Sequence, residues 1–480
     1  MSLICHPMIW TLDELAELLS APLFGGGTGV TPVSRIITSA VEARPGDIYT
    51  PISSTSVGSD IQRAIANGAV AVLIQDQKVP DKIPAIRVPN IRNALTDLAA
   101  VARERFSGRI IGVTGSVGKT TTKDMLAHLL AHHGVTHFTD ANLNSGNANL
   151  ASVASLPSAA EFSVLEIAMM DLGSIGRKSS IAKPDVALIT GIGFSHGVYH
   201  ADGAASILNT KTDMFWHLAG LGVAVLPSQD RHYEGMLSRA HESGKVNRVI
   251  SCGQRDNDNV QLLKHASHPT YSEVSIKAEG CAYEYVISQP GEHFVWNSLL
   301  AAGAMLAVGA PLSRLGALAT YAPTRRRVER FRVPLRDGAI ELIDDGYNAA
   351  PDSVRALLSL LGNRDKASRR ILIFGDMLEL GPEEVEHHLA LAPDIDKARI
   401  DLLVTVGPNA EKLAHEVKTR TVSFPTAAAA ASGVPSLLQS RDLVAVKGSN
   451  AMKLIRVVNA LKGSAPLLRQ GMHWSIEIEG

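Results

Sequence analysis

Cysteine is scarce in this 480-residue chain: Cys5, Cys252 and Cys281 stand far apart, with no C-x-x-C spacing. That excludes a disulfide framework or a cysteine-built zinc site and suits a reducing compartment. A surplus of charge is also missing. With 46 Lys and Arg against 47 Asp and Glu, no global field draws the chain to nucleic acid or to a membrane surface. No segment supplies the roughly 18 uninterrupted apolar residues of a membrane span, and Met1 to Trp10 lack the basic and apolar regions of an export signal. Aromatics are only 5% of residues, and no repeat recurs at a period of about 20–50 residues. A soluble, cytoplasmic protein without nucleic-acid or membrane partners is the expectation.

What is present is apolar surface in quantity, 45% of residues, in a chain too long for one core, so two to three domains are expected. Thr11 and Glu14 have capping-box spacing ahead of Leu12, Leu15, Leu18 and Leu19, which predicts a helix closed by the glycines at 25–27. From 34 to 90 short β-branched runs alternate with turns, with a helix at 61–67 and a strand at 69–74, as in a small α/β domain. Apolar, nearly continuous strands follow at 109–113, 162–167, 186–190 and 223–226, the pattern of a parallel sheet buried on both faces. Residues 246–290 read as an appended β segment, then an Ala-rich helix at 297–308. After a basic turn at 324–332, strands at 340–343, 371–374, 402–406 and 443–446 predict a second, Rossmann-like sheet. The tract 426–431 is a helix or a solvated linker.

Between the strand at 109–113 and a helix carrying Met125, Leu126, Leu129 and Leu130 lies GSVGKTTT, residues 115–122. Phosphate oxygens need clustered backbone N–H groups and a cation, and a glycine-rich strand-to-helix turn supplies both. Gly115, Ser116, Gly118, Lys119, Thr120 and Thr121 are therefore candidate ATP contacts, with Lys119 toward the β/γ phosphates and Thr120 on Mg²⁺. Val113 stands where the strict G-x-x-x-x-G-K-[ST] pattern has its first glycine.

The shorter G-x-x-G-K-T-T loop resembles that of the Mur ligase family, and the likeness extends from about residue 34 to residue 460. NLNSGN at 142–147, LEIA at 165–168 and FSH at 194–196 are similar to family segments, which implies Asn142 as a substrate contact and Glu166 and His196 as Mg²⁺ ligands. Taken without the family, a lone glutamate or histidine is a surface residue. KTDMF at 211–215 places Lys211 where the family has a carbamoylated lysine beside a second Mg²⁺, with Asp213 in place of a glutamate. GEHFVWN at 291–297 implies His293 and Asn297 as nucleotide contacts, although a helix N-cap explains Asn297 equally well. RRVER at 326–330 implies Arg327 as a nucleotide-binding arginine. IDDGYNAAPDS at 343–353 resembles DDSYNANP and implies Asp345, Tyr347 and Asn348, while FGDMLELG at 374–381 with His388 resembles the segment that follows it. VKGSNAMK at 446–453 resembles a KGS-R segment, retaining Lys447 and Ser449 but carrying Asn450 for the arginine.

The resemblance implies an α/β, three-domain architecture: an acyl-substrate domain at 1–105, a central P-loop domain with a doubly wound sheet at 106–323, and a Rossmann-like amine-substrate domain at 324–480. It implies an ATP- and Mg²⁺-dependent ligase, with two Mg²⁺ ions, that joins a small-molecule carboxylate to an amine through an acyl phosphate. Lys119, Lys211, His196 and Asp345 are its catalytic candidates. The branch it resembles adds D-alanyl-D-alanine to a UDP-N-acetylmuramoyl-tripeptide. The family's uridine-binding D-S-R segment reads Thr38-Ser39-Ala40 here, and its D-G-H segment reads Gly58-Ser59-Asp60, which points to a paralogue with an altered acyl substrate. The peptidoglycan ligase itself, a P-loop small-molecule phosphotransferase and a silent binding module stay as alternatives. A monomer is expected.

Overall fold

The computed structural model of the chain describes residues 8–463 apart from 27–28, 53–56, 80–81, 141–142, 145, 194–203 and 364–367. Asn142 and His196 therefore lie outside the described residues. The chain forms two compact units, Met1–Thr324 and Arg325–Gly480.

In the first unit the capping box forms as the spacing predicts. Thr11 Oγ1 accepts the Glu14 N–H at 3.2 Å, and the Glu14 carboxylate accepts the Thr11 N–H at 2.8 Å, opening the helix Leu12–Leu18. The helix stops well before the expected glycines. Ser20 takes a positive φ of 47° and turns the chain so that Leu23–Phe24 can pair with Ala85–Arg87. That strand is the antiparallel edge of a five-stranded sheet continuing through Ala71–Ile74, Asp47–Tyr49 and Arg35–Ile37.

Nine strands form the larger sheet, in the order Cys281–Ile287, Ser272–Ala278, Val260–Ser267, Val246–Gly253, Gly222–Pro227, Val186–Ile189, Arg109–Thr114, Phe162–Glu166, Thr136–Phe138. From Arg109–Thr114 the chain builds first to one side and then to the other, which opens a crevice beyond the carboxyl ends of the central strands. The stretch 246–290 prolongs this same sheet. Its last two strands run antiparallel, and Ser272–Ala278 alternates buried with exposed side chains because one face is solvated. One hydrophobic core joins the two sheets: Trp10, Leu98 and Phe106 pack with Ile110, Leu150 and Leu165, and Trp10 Nε1 donates to Ala154 O at 2.9 Å.

The second unit is a six-stranded sheet in the order Glu329–Leu335, Gly338–Asp345, Leu443–Lys447, Arg370–Gly375, Leu402–Val406, Arg420–Phe424. All its pairings are parallel except the first. Two of these strands go unrecognised in the sequence, Glu329–Leu335 and Arg420–Phe424, because both are edges with mostly half-exposed, polar-interleaved side chains. The tract at 426–431 is helical: Thr426 caps Ala427–Gly433 by accepting the Ala429 N–H at 3.2 Å.

Candidate active site

The phosphate loop leaves the buried strand Arg109–Thr114 and enters the helix Lys119–Leu130. Its two glycines are sterically required. Gly115 has φ +147°, and a Cβ there would lie 2.0 Å from Thr190 Oγ1; Gly118 has φ +83°, and a Cβ would lie 2.6 Å from Asn297 Oδ1. Neighbouring side chains fix the loop. Thr190 Oγ1 donates to Val117 O, Ser116 Oγ donates to Gly193 O at 2.8 Å, and Gly193 N–H donates back to that hydroxyl at 2.8 Å. The loop thus leads into the N-terminus of a 12-residue helix, where an anion is favoured. Thr121 is buried in its first turn.

Thr120 and Glu166 meet at this point. Thr120 Oγ1 donates to Glu166 Oε2 at 2.7 Å, and Asn144 Nδ2 donates to Glu166 Oε1 at 2.5 Å. Glu166 is 1% exposed at the end of its strand. A buried hydroxyl and carboxylate within hydrogen-bond reach beside a phosphate loop are the hard-oxygen donors that suit Mg²⁺, which takes one or two protein ligands and completes its shell with phosphate and water. The described residues contain no group of three or more His, Cys, Asp or Glu able to hold a metal without such help.

Two amines converge on one carbonyl: Lys119 Nζ donates to Gly115 O at 2.7 Å and to Ser116 O at 3.1 Å, and Lys211 Nζ donates to Gly115 O at 3.0 Å. Lys211 closes the helix Ala204–Thr212 and is 1% exposed. Burial, reinforced by the Lys119 charge, lowers its pKa well below that of an ordinary lysine, which favours a neutral amine. Asp213 turns aside and pairs with Arg239 at 3.2 Å.

Asn297 is not a helix N-cap: the helix Glu292–Ala307 begins after Gly291, so Asn297 sits inside it, accepting from Thr122 Oγ1 at 3.2 Å. His293 lies one turn earlier, against Phe294 at 4.4 Å between ring centroids. Two neighbours of the site escape sequence reasoning. Asn144 belongs to the same asparagine-rich segment as Asn142 and could have been found there. Lys178 sends Nζ to Asn144 O at 3.0 Å and Ala168 O at 2.5 Å, and burial lowers its pKa to about 8, yet a lysine within a helix reads from sequence as solvated.

On the acyl side, Ala40 is buried with Ile37, Ala43 and Tyr49, so it presents nothing to a ligand, whereas Val41 is 58% exposed. Gly58-Ser59-Asp60 lie in the first turn of the helix Val57–Ala66. The hydroxyls of Thr38 and Thr50, at the ends of adjacent strands, are buried and make no hydrogen bond among the described residues. Thr38 also lines a cavity with Asp140, Leu143 and Ser152.

The second unit gathers the remaining candidates at the carboxyl ends of its strands. Lys447 Nζ donates to Asp345 Oδ2 at 2.6 Å and to Asn348 O at 2.9 Å, and the Arg327 guanidinium stacks 4.5 Å from the Tyr347 ring centroid. Ser449 Oγ accepts the Leu378 N–H at 2.8 Å. His388 is a buried strut, accepting the Met377 N–H at 2.8 Å through Nε2 and donating from Nδ1 to Glu384 O at 2.6 Å.

Known proteins resemble this chain in sequence and fold. The sequence profile of the Mur ligase middle domain matches residues 113–305, and that of the Mur ligase glutamate ligase domain matches 326–450. The UDP-N-acetylmuramoyl-tripeptide–D-alanyl-D-alanine ligase of Bacillus subtilis is 28% identical over 94% of this chain and 98% of its own length, and that of Escherichia coli is 26% identical over the same shares. Among solved structures, MurF from Acinetobacter baumannii matches with a TM-score of 0.77 at 25% identity, covering 95% of this chain and all of its own. MurF from Thermotoga maritima in complex with ADP matches with a TM-score of 0.70 at 23% identity, covering 90% and 97%. The fold, the relatives that match along the chain and both profile matches agree: the chain belongs to the Mur ligase family of ATP-dependent ligases.

Proposed function

We propose that this protein forms an amide between a carboxylic acid and an amine at the expense of ATP, as a D-alanyl-D-alanine-adding type of ligase whose grip on the acyl substrate is altered. The observation that carries this is the convergence of Lys119 and Lys211 on Gly115 O beside the Thr120–Glu166 pair. Carboxylate and amine do not condense spontaneously in water, so the acid must be activated. In the reaction a carboxylate oxygen attacks the γ-phosphorus and ADP leaves. The amine then attacks the acyl carbon, loses its proton, and expels phosphate. Lys119 and the loop N–H groups hold the transferring phosphoryl group in line, which is most of what phosphoryl transfer asks of a protein. Mg²⁺ on Thr120, Glu166 and His196 would neutralise phosphate charge. A neutral Lys211 amine can take up CO₂, releasing a proton and becoming a carbamate anion able to hold a second Mg²⁺.

The altered acyl grip rests on Ala40, which stands where the family resemblance implies an arginine, and on Thr38, which stands where it implies an aspartate, with no arginine anywhere in residues 38–41. A second reading, the peptidoglycan-precursor ligase itself, is favoured by the relatives that match along 94% of the chain. A cytoplasmic monomer belongs to either reading. Calorimetric titration of UDP-N-acetylmuramoyl-tripeptide into the Mg²⁺–nucleotide-loaded enzyme separates the two. The altered grip predicts binding weakened by roughly two to four orders of magnitude, the loss expected for two charged hydrogen bonds. Micromolar affinity with D-alanyl-D-alanine-dependent phosphate release would restore the cell-wall role.

A further inference from the structure

Among the residues of the second unit that depart from the segments they resemble are Gly346, which stands where DDSYNANP has serine, and Asn450, which stands where the KGS-R segment has arginine. In the fold these departures meet at a single side chain. Arg326 donates from Nη1 to Asn450 Oδ1 at 3.0 Å and from Nη2 to Gly346 O, while its Nε lies 3.5 Å from the Asp344 carboxylate. A Cβ on Gly346 would stand 3.0 Å from Nη2, so any larger residue there would crowd the guanidinium. Arg326 itself holds a left-handed φ of +64°, and Val328 one of +56°, conformations that non-glycine residues rarely keep unless the surroundings impose them.

We propose that Arg326 is a positioning residue of the amine-side site, supplying from residues 325–328 the guanidinium that the segment 446–453 lacks. This rests on the reading of the second unit as the amine-binding one. Through Gly346 O and Asn450, Arg326 ties the loop 345–348 to the turn after strand Leu443–Lys447, and Lys447 ties the same loop from within through Asp345 and Asn348. Tyr347 completes the clamp: its N–H donates to Arg326 O at 3.3 Å and its ring stacks under Arg327. A planar fork with divergent donors can make both bonds at once, which a lysine ammonium on a flexible stem cannot reproduce.

The test compares wild type with Arg326→Ala, Arg326→Lys and the double variant Arg326→Ala/Asn450→Arg, which returns a guanidinium from the other side. Backbone amide exchange at 346–348 and 450–452 should accelerate in both single variants, with the melting transition of the whole chain retained, and slow again in the double variant. With D-alanyl-D-alanine as the amine, its KM should rise about tenfold in both single variants and recover in the double variant, while the KM for ATP stays within about twofold. Unchanged amide exchange in Arg326→Ala, or a double variant that folds without restoring protection, overturns the clamp. A clamp that forms and is restored while the KM values for ATP and amine move together overturns its role on the amine side. The exchange experiment needs no substrate, so the clamp stands or falls separately from the ligase reading.

Discussion

Lys119 and Lys211 illustrate how unevenly a site can be read at the level of single residues. Lys119 and Thr120 are legible because the glycine-rich turn that uses them is contiguous in sequence. Lys211 is legible only through the likeness of KTDMF to a family segment, because the contact that explains it is remote: a helix about ninety residues further on brings its amine to Gly115 O, 3.0 Å away and out of water. Asn297 reads ambiguously for the same reason, since its partners Gly118 and Thr122 are remote in the chain. Removing Lys211 with Lys211→Ala should abolish most ligase activity, and short carboxylic acids should restore part of it, because the role assigned to the modified side chain is a carboxylate-like anion. Intact mass together with ¹³CO₂ labelling checks the modification. An unlabelled, fully active enzyme would remove the carbamate from the account.

Elements set what those residues can do. Gly118→Ala places a methyl 2.6 Å from Asn297 Oδ1 at a positive φ, so the loop must shift off the helix Glu292–Ala307. The left-handed strain alone is about 1–2 kcal/mol, and nucleotide affinity should fall about tenfold or more while the global fold survives. Fluorescent-nucleotide titration measures this, with Gly58→Ala, where a Cβ meets nothing within 4 Å, as the control. His388 governs a turn instead of the chemistry. Burial holds its pKa below the ordinary 6.5, so the unfolded chain takes up a proton that the folded one resists. Its contribution is complete above about pH 6.5 and is lost as pH falls further. Urea unfolding between about pH 7.5 and about pH 5.5 should therefore show a smaller decline for His388→Gln than for wild type. An equal decline would mean that His388 is not the titrating group. Strand periodicity was readable where strands are buried on both faces, as at Leu402–Val406, and failed at Glu329–Leu335, where charged residues on a half-exposed edge imitate a turn.

At the scale of the whole molecule the sequence carried the alternation of strands and helices that builds two doubly wound sheets, and with it the crevice where Gly115, Glu166 and Thr190 converge. It could not reveal that the N-terminal sheet and the nucleotide-binding sheet share one hydrophobic core, because Trp10, Phe106 and Leu150 are separated by long stretches of chain. Nor could it show that Ala40, within the altered uridine segment, points into that smaller sheet's own core. The central claim is that this protein transfers the γ-phosphoryl group of ATP to a carboxylate before forming the amide. The most direct measurement uses an acyl substrate labelled with ¹⁸O in its carboxylate and mass analysis of the products. The account predicts one ¹⁸O in the inorganic phosphate, one left in the amide, and no release without Mg²⁺; phosphate free of label, with both ¹⁸O atoms still in the acid, would contradict it.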